Sequence, residues 1–143
     1  MKPHGATELY DFENEILHAT MWHEQEQSFD MLYTLLWGMW VSEYGDLDNC
    51  PKLSKKPHPK VTSNGETTTF YNADTHTIHM LEGQRTLIML VHETTHAMGF
   101  HDHGFRFRRR YFYMLDRYIG IQRLWLDNHY RAWTQFRLKS QKK

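Results

Sequence analysis

The chain has 143 residues, 40% of them hydrophobic and 15% aromatic, which suits one folded domain with a sizeable core and argues against a disordered chain. Its single cysteine, Cys50, excludes an intrachain disulfide and a cysteine-rich zinc site, and it favours a reducing compartment. The longest apolar run, residues 31–41, is shorter than the roughly 20 residues of a membrane span, and the N-terminus lacks the apolar core of a signal peptide. We therefore expect a soluble, cytoplasmic protein.

Charge is distributed unevenly along the chain, although the net charge is zero. Residues 1–103 hold 15 acidic and 6 basic side chains, a balance of −9, whereas residues 104–143 hold 2 acidic and 11 basic side chains, a balance of +9. Such a basic segment can follow the phosphates of a nucleic acid, here through residues 106–143. It can equally pair with the acidic N-terminal part of the same chain. The charge pattern leaves both interpretations open.

The first half of the chain reads as a helix followed by a loop. Residues 1–7 are typical of a flexible tail, and apolar residues spaced three and four apart then predict a long N-terminal helix, in one piece or two, over residues 8–44. Gly45 and three prolines predict a surface loop at residues 45–60.

The second half reads as a hairpin followed by helices. Two short strands are expected, the first at residues 61–63 or 67–71 and the second at residues 75–81, with a turn at 72–74. Helices are then expected at residues 84–100, 105–118 and 121–138, the last two separated by Gly120. The whole chain, residues 1–143, is predicted to be a single α+β domain whose C-terminal part, 104–143, is basic and helical.

The segment from His92 to His96 reads HETTH, an instance of the H-E-x-x-H pattern. On a helix, residues four apart lie on the same face, so the imidazoles of His92 and His96 can bind one zinc ion. Glu93 lies beside that face, where it can serve as the general base for a water molecule. Four histidines and this glutamate fall within twelve residues, since His101 and His103 follow at once.

The order of hairpin, HETTH helix, short turn and His103-Gly104-x-x-Phe107 resembles the SprT-like family of zinc metallopeptidases, which includes the Spartan-type proteases. The resemblance covers residues 61–113 and implies a zincin-like α+β fold and a bound Zn²⁺. The small size is typical of a minimal domain encoded by bacteria or tailed phages, which implies the cytoplasm of a bacterial or phage-infected cell. The seven residues from His96 to His103 are a short spacing for this family, and no zinc ribbon follows.

Three residues compete to be the third zinc ligand. The resemblance favours His103, because a histidine followed by glycine completes the site in this family. Asp102 fits a different spacing, H-E-x-x-H-x-x-G-x-x-H/D, in which Gly99 is also in place. His101 is the remaining alternative, and a residue outside the ligand set can still orient a ligand by accepting its spare imidazole N–H.

The resemblance implies a zinc-dependent endopeptidase with Glu93 as catalytic base, acting on proteins associated with nucleic acid. Candidate donors to the developing oxyanion are Arg106, Tyr111 and Tyr113, and the strand at residues 75–81 is expected to offer its edge to an extended peptide. An alternative is a zinc-dependent endoribonuclease resembling the YbeY family, whose H-x-x-x-H-x-x-G-x-D-H pattern is close to residues 92–103. A third alternative is a non-catalytic, zinc-stabilised binding module.

Overall fold

The structure, a computed structural model, describes residues 25–56 and 69–141, together with Leu9, Phe12 and Glu13; beyond residue 135 it describes the backbone alone. Within these residues it has the expected α+β class, with four α-helices and a three-stranded sheet. No helix in this part of the chain is long and apolar enough to cross a membrane. The predicted tail and the candidate strand at 61–63 lie outside the described residues.

The first described helix, α1 (Phe29–Tyr44), begins where the Ser28 hydroxyl accepts a hydrogen bond from the Met31 N–H at 3.2 Å. It ends at Gly45, whose φ of 87° is the left-handed conformation that favours glycine. Residues 25–28 are not helical, so the long helix expected over residues 8–44 is not continuous. The apolar stripe of α1 is buried only in part, because Trp37, Val41 and Tyr44 are exposed. The buried residues of the helix are Leu32, Leu36, Met39 and Trp40.

The sheet has three strands in the order β1 (Lys52–Ser54), β3 (Thr77–His79), β2 (Phe70–Asn72). β3 pairs in parallel with β1 and antiparallel with β2, so it is the central strand. The prediction that residues 75–81 offer a free edge to a peptide is therefore wrong, because both edges of β3 are already paired. Among the described strands, β2 is the edge strand that contacts the helix carrying HETTH.

The predicted surface loop at residues 45–60 contains β1, which is a correction to the sequence-based expectation. The strand has only three residues and one buried side chain, Leu53, and it closely follows Pro51, so its sequence carries no local strand signal. The hydroxyl of Tyr33 on α1 donates to the Leu53 carbonyl at 3.0 Å and accepts from the Leu53 N–H at 3.1 Å. Contacts with α1 and β3, rather than local propensity, therefore produce this strand.

Three further α-helices follow the sheet: α2 (Leu87–Ala97), α3 (Phe105–Met114) and α4 (Arg123–Gln141). They correspond to the three helices expected from the sequence, with the ends moved by a few residues. α3 continues into a π-helical turn, Leu115–Ile119, which ends at Gly120 with a φ of 89°. The glycine thus separates the last two helical segments, as the sequence predicts.

α2 is the central helix of the described fold, because it contacts α1, α3, the π-helical turn and β2. Its N-terminal half is apolar, with Ile88, Leu90 and Val91 fully buried. Its C-terminal half is HETTH and is buried as well. The fold therefore encloses a polar, histidine-rich half-helix inside an otherwise apolar core.

Candidate metal centre

The HETTH segment lies in the protein interior, where His92, Glu93 and His96 expose only 1%, 6% and 8% of their surface. Buried polar groups cost free energy unless they are hydrogen-bonded. The hydroxyls of Thr94 and Thr95 satisfy this need within the helix, donating to the carbonyls four residues earlier at 2.7 and 2.8 Å. The two histidines and Glu93 instead need partners from other parts of the chain.

Three imidazoles converge at one point. The Nε2 atom of His103 lies 3.1 Å from Nε2 of His92 and 3.0 Å from Nε2 of His96. One possible ligand atom from each residue lies within 4.8 Å of the other two, and all three side chains are buried. His92, His96 and His103 are therefore placed to hold one metal ion.

The loop between α2 and α3 decides which residue joins the HETTH pair. Gly99 leaves α2 with a φ of 106°, and the Asp102 carboxylate accepts a hydrogen bond from the Gly104 N–H at 2.8 Å. This turn directs His103 inwards, with 6% of its surface exposed. His101 and Asp102 remain exposed and lie outside the cluster, so of the three candidates His103 is the one that the fold brings to the pair.

The other ring nitrogens of the HETTH histidines are held by hydrogen-bond acceptors. Nδ1 of His92 donates to Oε2 of Glu13 at 2.8 Å, and Nδ1 of His96 donates to the Phe100 carbonyl at 2.6 Å. Because a carboxylate and a carbonyl can only accept, both histidines carry a proton on Nδ1. In the neutral form of each ring the Nε2 lone pair therefore points into the cluster, as metal ligation requires.

Glu13 is a member of this site that the motif analysis missed. It lies 79 positions before His92, and it is buried with 3% of its surface exposed. Its Oε2 also accepts a hydrogen bond from the Tyr111 hydroxyl at 2.6 Å. The sequence does carry a weak signal, because Glu13 falls on the apolar stripe of Leu9, Phe12 and Ile16, where an acidic residue is out of place.

Phe107 forms one wall of the cluster. Its ring centroid lies 5.0, 4.4 and 5.1 Å from those of His92, His96 and His103, and it stacks on His96. The ring is fully buried. The aromatic residue of His-Gly-x-x-Phe therefore packs against all three candidate ligands and limits the rotation of their side chains.

Burial sets the charge of the imidazoles. Burial, together with the neighbouring His92, lowers the pKa of His96 to about 3 and that of His103 to about 4. Burial acts on His92 in the same direction, but the charge and hydrogen bond of Glu13, together with the charge of Glu93, outweigh it, so the pKa of His92 is raised. His96 and His103 are therefore neutral at pH 7 and can act as ligands without losing a proton.

Glu93 has a pKa raised to about 7, mainly because it is buried. The nearby Glu13 carboxylate raises it further, whereas His92 and a hydrogen bond from the Tyr71 backbone lower it. A carboxylate with a pKa near neutrality can take up and release a proton at physiological pH. Glu93 can therefore exchange a proton near neutral pH in the metal-free protein, and the Tyr71 backbone links it to the edge strand β2.

The three candidate oxyanion donors lie elsewhere or are engaged with other groups. The Tyr111 hydroxyl donates to Glu13, and the Tyr113 hydroxyl donates to Glu43 at 3.1 Å. Arg106 is exposed and lines a surface groove. Only Tyr111 contacts the cluster, where its ring lies 5.3 Å from that of His92.

Comparison of the chain with protein-family models, with curated proteins and with solved structures found no match in any of the three. The interpretation of the site as a metal centre therefore depends on the residues that form it. Three buried imidazoles form a donor set that suits Zn²⁺ and other borderline divalent metals.

Proposed function

We propose that this protein is a zinc-dependent endopeptidase in which His92, His96 and His103 bind the metal and Glu93 is the general base. One observation carries the proposal: three buried imidazoles converge beside a buried glutamate, Glu93, and two of them lie on the same helix as that glutamate. Three protein ligands are the number found in catalytic zinc sites, where the fourth position stays open for water. The SprT-like resemblance of residues 61–113 and the zincin-like fold belong to the same proposal.

A bound zinc ion would supply Lewis acidity and lower the pKa of a water molecule towards about 7. The proton transfers are carried out by a side chain of the protein. Glu93 accepts a proton as the water attacks the peptide carbonyl, and it then delivers that proton to the leaving amine. Burial raises the pKa of its carboxyl group to about 7 in the metal-free protein, which favours proton uptake by this group. Phe107 and the burial of the imidazoles keep competing water away from the ligands.

The edge strand β2 is the place for an extended peptide. It is the described strand with one unpaired edge next to α2, and its Tyr71 backbone bonds to Glu93. A peptide that adds to this edge as a further strand would bring one of its carbonyls towards the Glu93 carboxylate. This location replaces the one expected from the sequence, which lies on the central strand β3.

The Glu93→Gln variant tests the proposed peptidase. It keeps the size and shape of the side chain but cannot accept the proton, so we expect zinc content to be unchanged and cleavage of an unfolded protein substrate to fall by about 10²-fold or more. Zinc content by mass spectrometry and cleavage by gel assay provide the measurement. Glu82→Gln, an exposed glutamate changed in the same way, is the matched control. Full proteolysis by Glu93→Gln would reject this mechanism.

A basic surface favours a nucleic-acid partner. Two adjoining cavities of about 430 and 370 Å³ lie against α3 and α4, and both are lined by Phe105, Arg109 and Arg123. We call this surface the arginine groove; its remaining arginines are Arg106, Arg108, Arg110 and Arg131. Within the described residues, ion pairs reach only two of these arginines, namely Arg110 from Glu43 and Arg123 from Asp127. Among the residues that the structure describes, the groove therefore carries excess positive charge.

The side chains of the groove suit a single strand better than a duplex. Guanidinium groups bind phosphates in a bidentate manner, and the cationic residues of the groove are all arginines. Phe105 exposes 62% of its surface beside them and offers a face on which an unpaired base can stack. We propose that single-stranded nucleic acid binds here.

Binding of a labelled single-stranded oligonucleotide, followed by fluorescence anisotropy, tests this surface. The double variant Arg109→Ala, Arg131→Ala is expected to weaken binding by about tenfold or more and to reduce its salt dependence. Phe105→Ala should weaken binding by a comparable factor without changing the salt dependence. Lys52→Ala, an exposed cation in the sheet, is the control and should have no effect. Equal binding by all variants would exclude the groove.

The arginine groove also keeps a second candidate activity open, a zinc-dependent endoribonuclease of the YbeY-like kind. This activity would use the same metal ligands but would not need Glu93. RNA cleavage that persists in Glu93→Gln and is lost in His92→Ala would favour it over the peptidase.

A further inference from the structure

We propose that Glu13 is a positioning residue of the metal centre, which holds His92 in the tautomer and orientation that ligation requires. The proposal rests on the metal-binding part of the proposed function and not on the peptidase chemistry. Its basis is geometric: Oε2 of Glu13 accepts from Nδ1 of His92 at 2.8 Å, while Nε2 of His92 lies at the point where the three imidazoles meet.

The carboxylate of Glu13 is itself fixed in place. The Tyr111 hydroxyl on α3 donates to the same Oε2 at 2.6 Å, and both side chains are buried. Neighbouring Phe12 anchors this part of the chain, because its ring lies 5.3 Å from Tyr130 and 6.0 Å from Phe112. Glu13 therefore joins the N-terminal segment to α2 and α3 through one buried oxygen atom.

The hydrogen-bond acceptor at Nδ1 is charged for His92 and neutral for His96. His96 is held by the neutral carbonyl of Phe100, from within the same stretch of chain. His92 is held by an anion, which makes its imidazole more electron-rich and offsets part of the charge of a bound divalent cation. Loss of the Glu13 carboxylate should therefore lower metal affinity. Its effect on the free energy of unfolding of the metal-free protein should be smaller.

Metal affinity in Glu13→Gln tests the proposal, with Glu43→Gln as the matched control. Glu43 is a partly buried glutamate, with 9% of its side chain exposed, that also accepts from a tyrosine hydroxyl, that of Tyr113, but it contacts no candidate ligand. Zinc affinity is measured by competition with a chromophoric chelator. We expect a loss of about 10–100-fold for Glu13→Gln and no more than about twofold for Glu43→Gln. Equal losses in the two variants, or unchanged affinity in Glu13→Gln, would overturn the proposal.

A second measurement does not depend on zinc or on the fold of a glutamate variant. At a pH high enough to keep the His92 imidazole neutral, ¹⁵N NMR of the metal-free wild type should show its single ring proton on Nδ1, and Tyr111→Phe should shift this balance towards a mixture of tautomers. A neutral wild-type His92 that carries its proton on Nε2 would contradict the proposal. If the wild type binds no zinc, the proposed function fails, while this NMR result still decides the role of Glu13.

Discussion

At the scale of single residues, the metal centre depends on unequal protonation of three histidines. His96 and His103 are neutral because burial disfavours their charged forms, whereas His92 keeps a proton more readily because Glu13 stabilises its charge. Since metal ligation requires a neutral imidazole, His92 is the candidate ligand at which protons would compete with a metal ion near neutral pH.

This difference predicts how zinc affinity depends on pH. Well above pH 4, His96 and His103 are already neutral and release no proton when zinc binds, because both pKa values lie well below the ordinary 6.5. Because the pKa of His92 is raised above the ordinary 6.5, this ring must release a proton when zinc binds at pH 6.5 and below. We expect zinc affinity to fall by about tenfold per pH unit between pH 6.5 and 5.5, the slope for one proton. Chelator competition measures it, and a slope near three protons would contradict the assignment.

At the scale of elements, the turn after α2 determines which residue joins His92 and His96 in the cluster. Gly99 adopts a φ of 106°, which costs other residues free energy, and the loop that it begins carries His103 into the cluster. A Cβ atom at this position would meet no heavy atom within 4 Å, so the backbone conformation alone requires the glycine.

Gly99→Ala should therefore destabilise the protein by about 1–2 kcal/mol and weaken zinc binding through displacement of His103. Gly38→Ala is the matched control, since Gly38 lies within α1 and an added Cβ there also meets nothing within 4 Å. Alanine is the better helix former, so this control should stabilise by about 0.5–1 kcal/mol. Urea denaturation measures both, and effects of the same sign would contradict the argument.

At the scale of the whole molecule, a metal at this site would connect parts that are distant in sequence. The ligands come from α2 and from the loop before α3, and Glu13 adds the N-terminal segment. A ligand that binds only the folded state stabilises it by about 2.7 kcal/mol at 100 times its Kd.

Zinc should accordingly raise the melting temperature by roughly 5–10 °C relative to protein in chelator, given about 2–4 °C per kcal/mol for a domain of this size. Thermal unfolding followed by circular dichroism measures the shift. His103→Ala should remove most of it, whereas substitution of the exposed neighbour, His101→Ala, should preserve it. Retention of the full shift in His103→Ala would exclude His103 as a ligand.

The sequence by itself determined the features that depend on local spacing. Histidines four apart place two imidazoles on one face of α2, and apolar periodicity predicts the helices. Gly99 and Gly120 mark where helical segments end, because their left-handed conformations favour glycine. His103 was one of three open alternatives until the fold turned it inwards and left His101 and Asp102 exposed.

Only the tertiary structure decided the features that depend on distant pairing. Strand β1 exists because Tyr33 and β3 bind its backbone, and the free edge belongs to β2 because β3 is paired on both sides. Glu13 reaches His92 across 79 positions of sequence. Local patterns record the face that a residue occupies on its own element, whereas hydrogen bonds between elements depend on how those faces pack, and a single sequence does not contain that information.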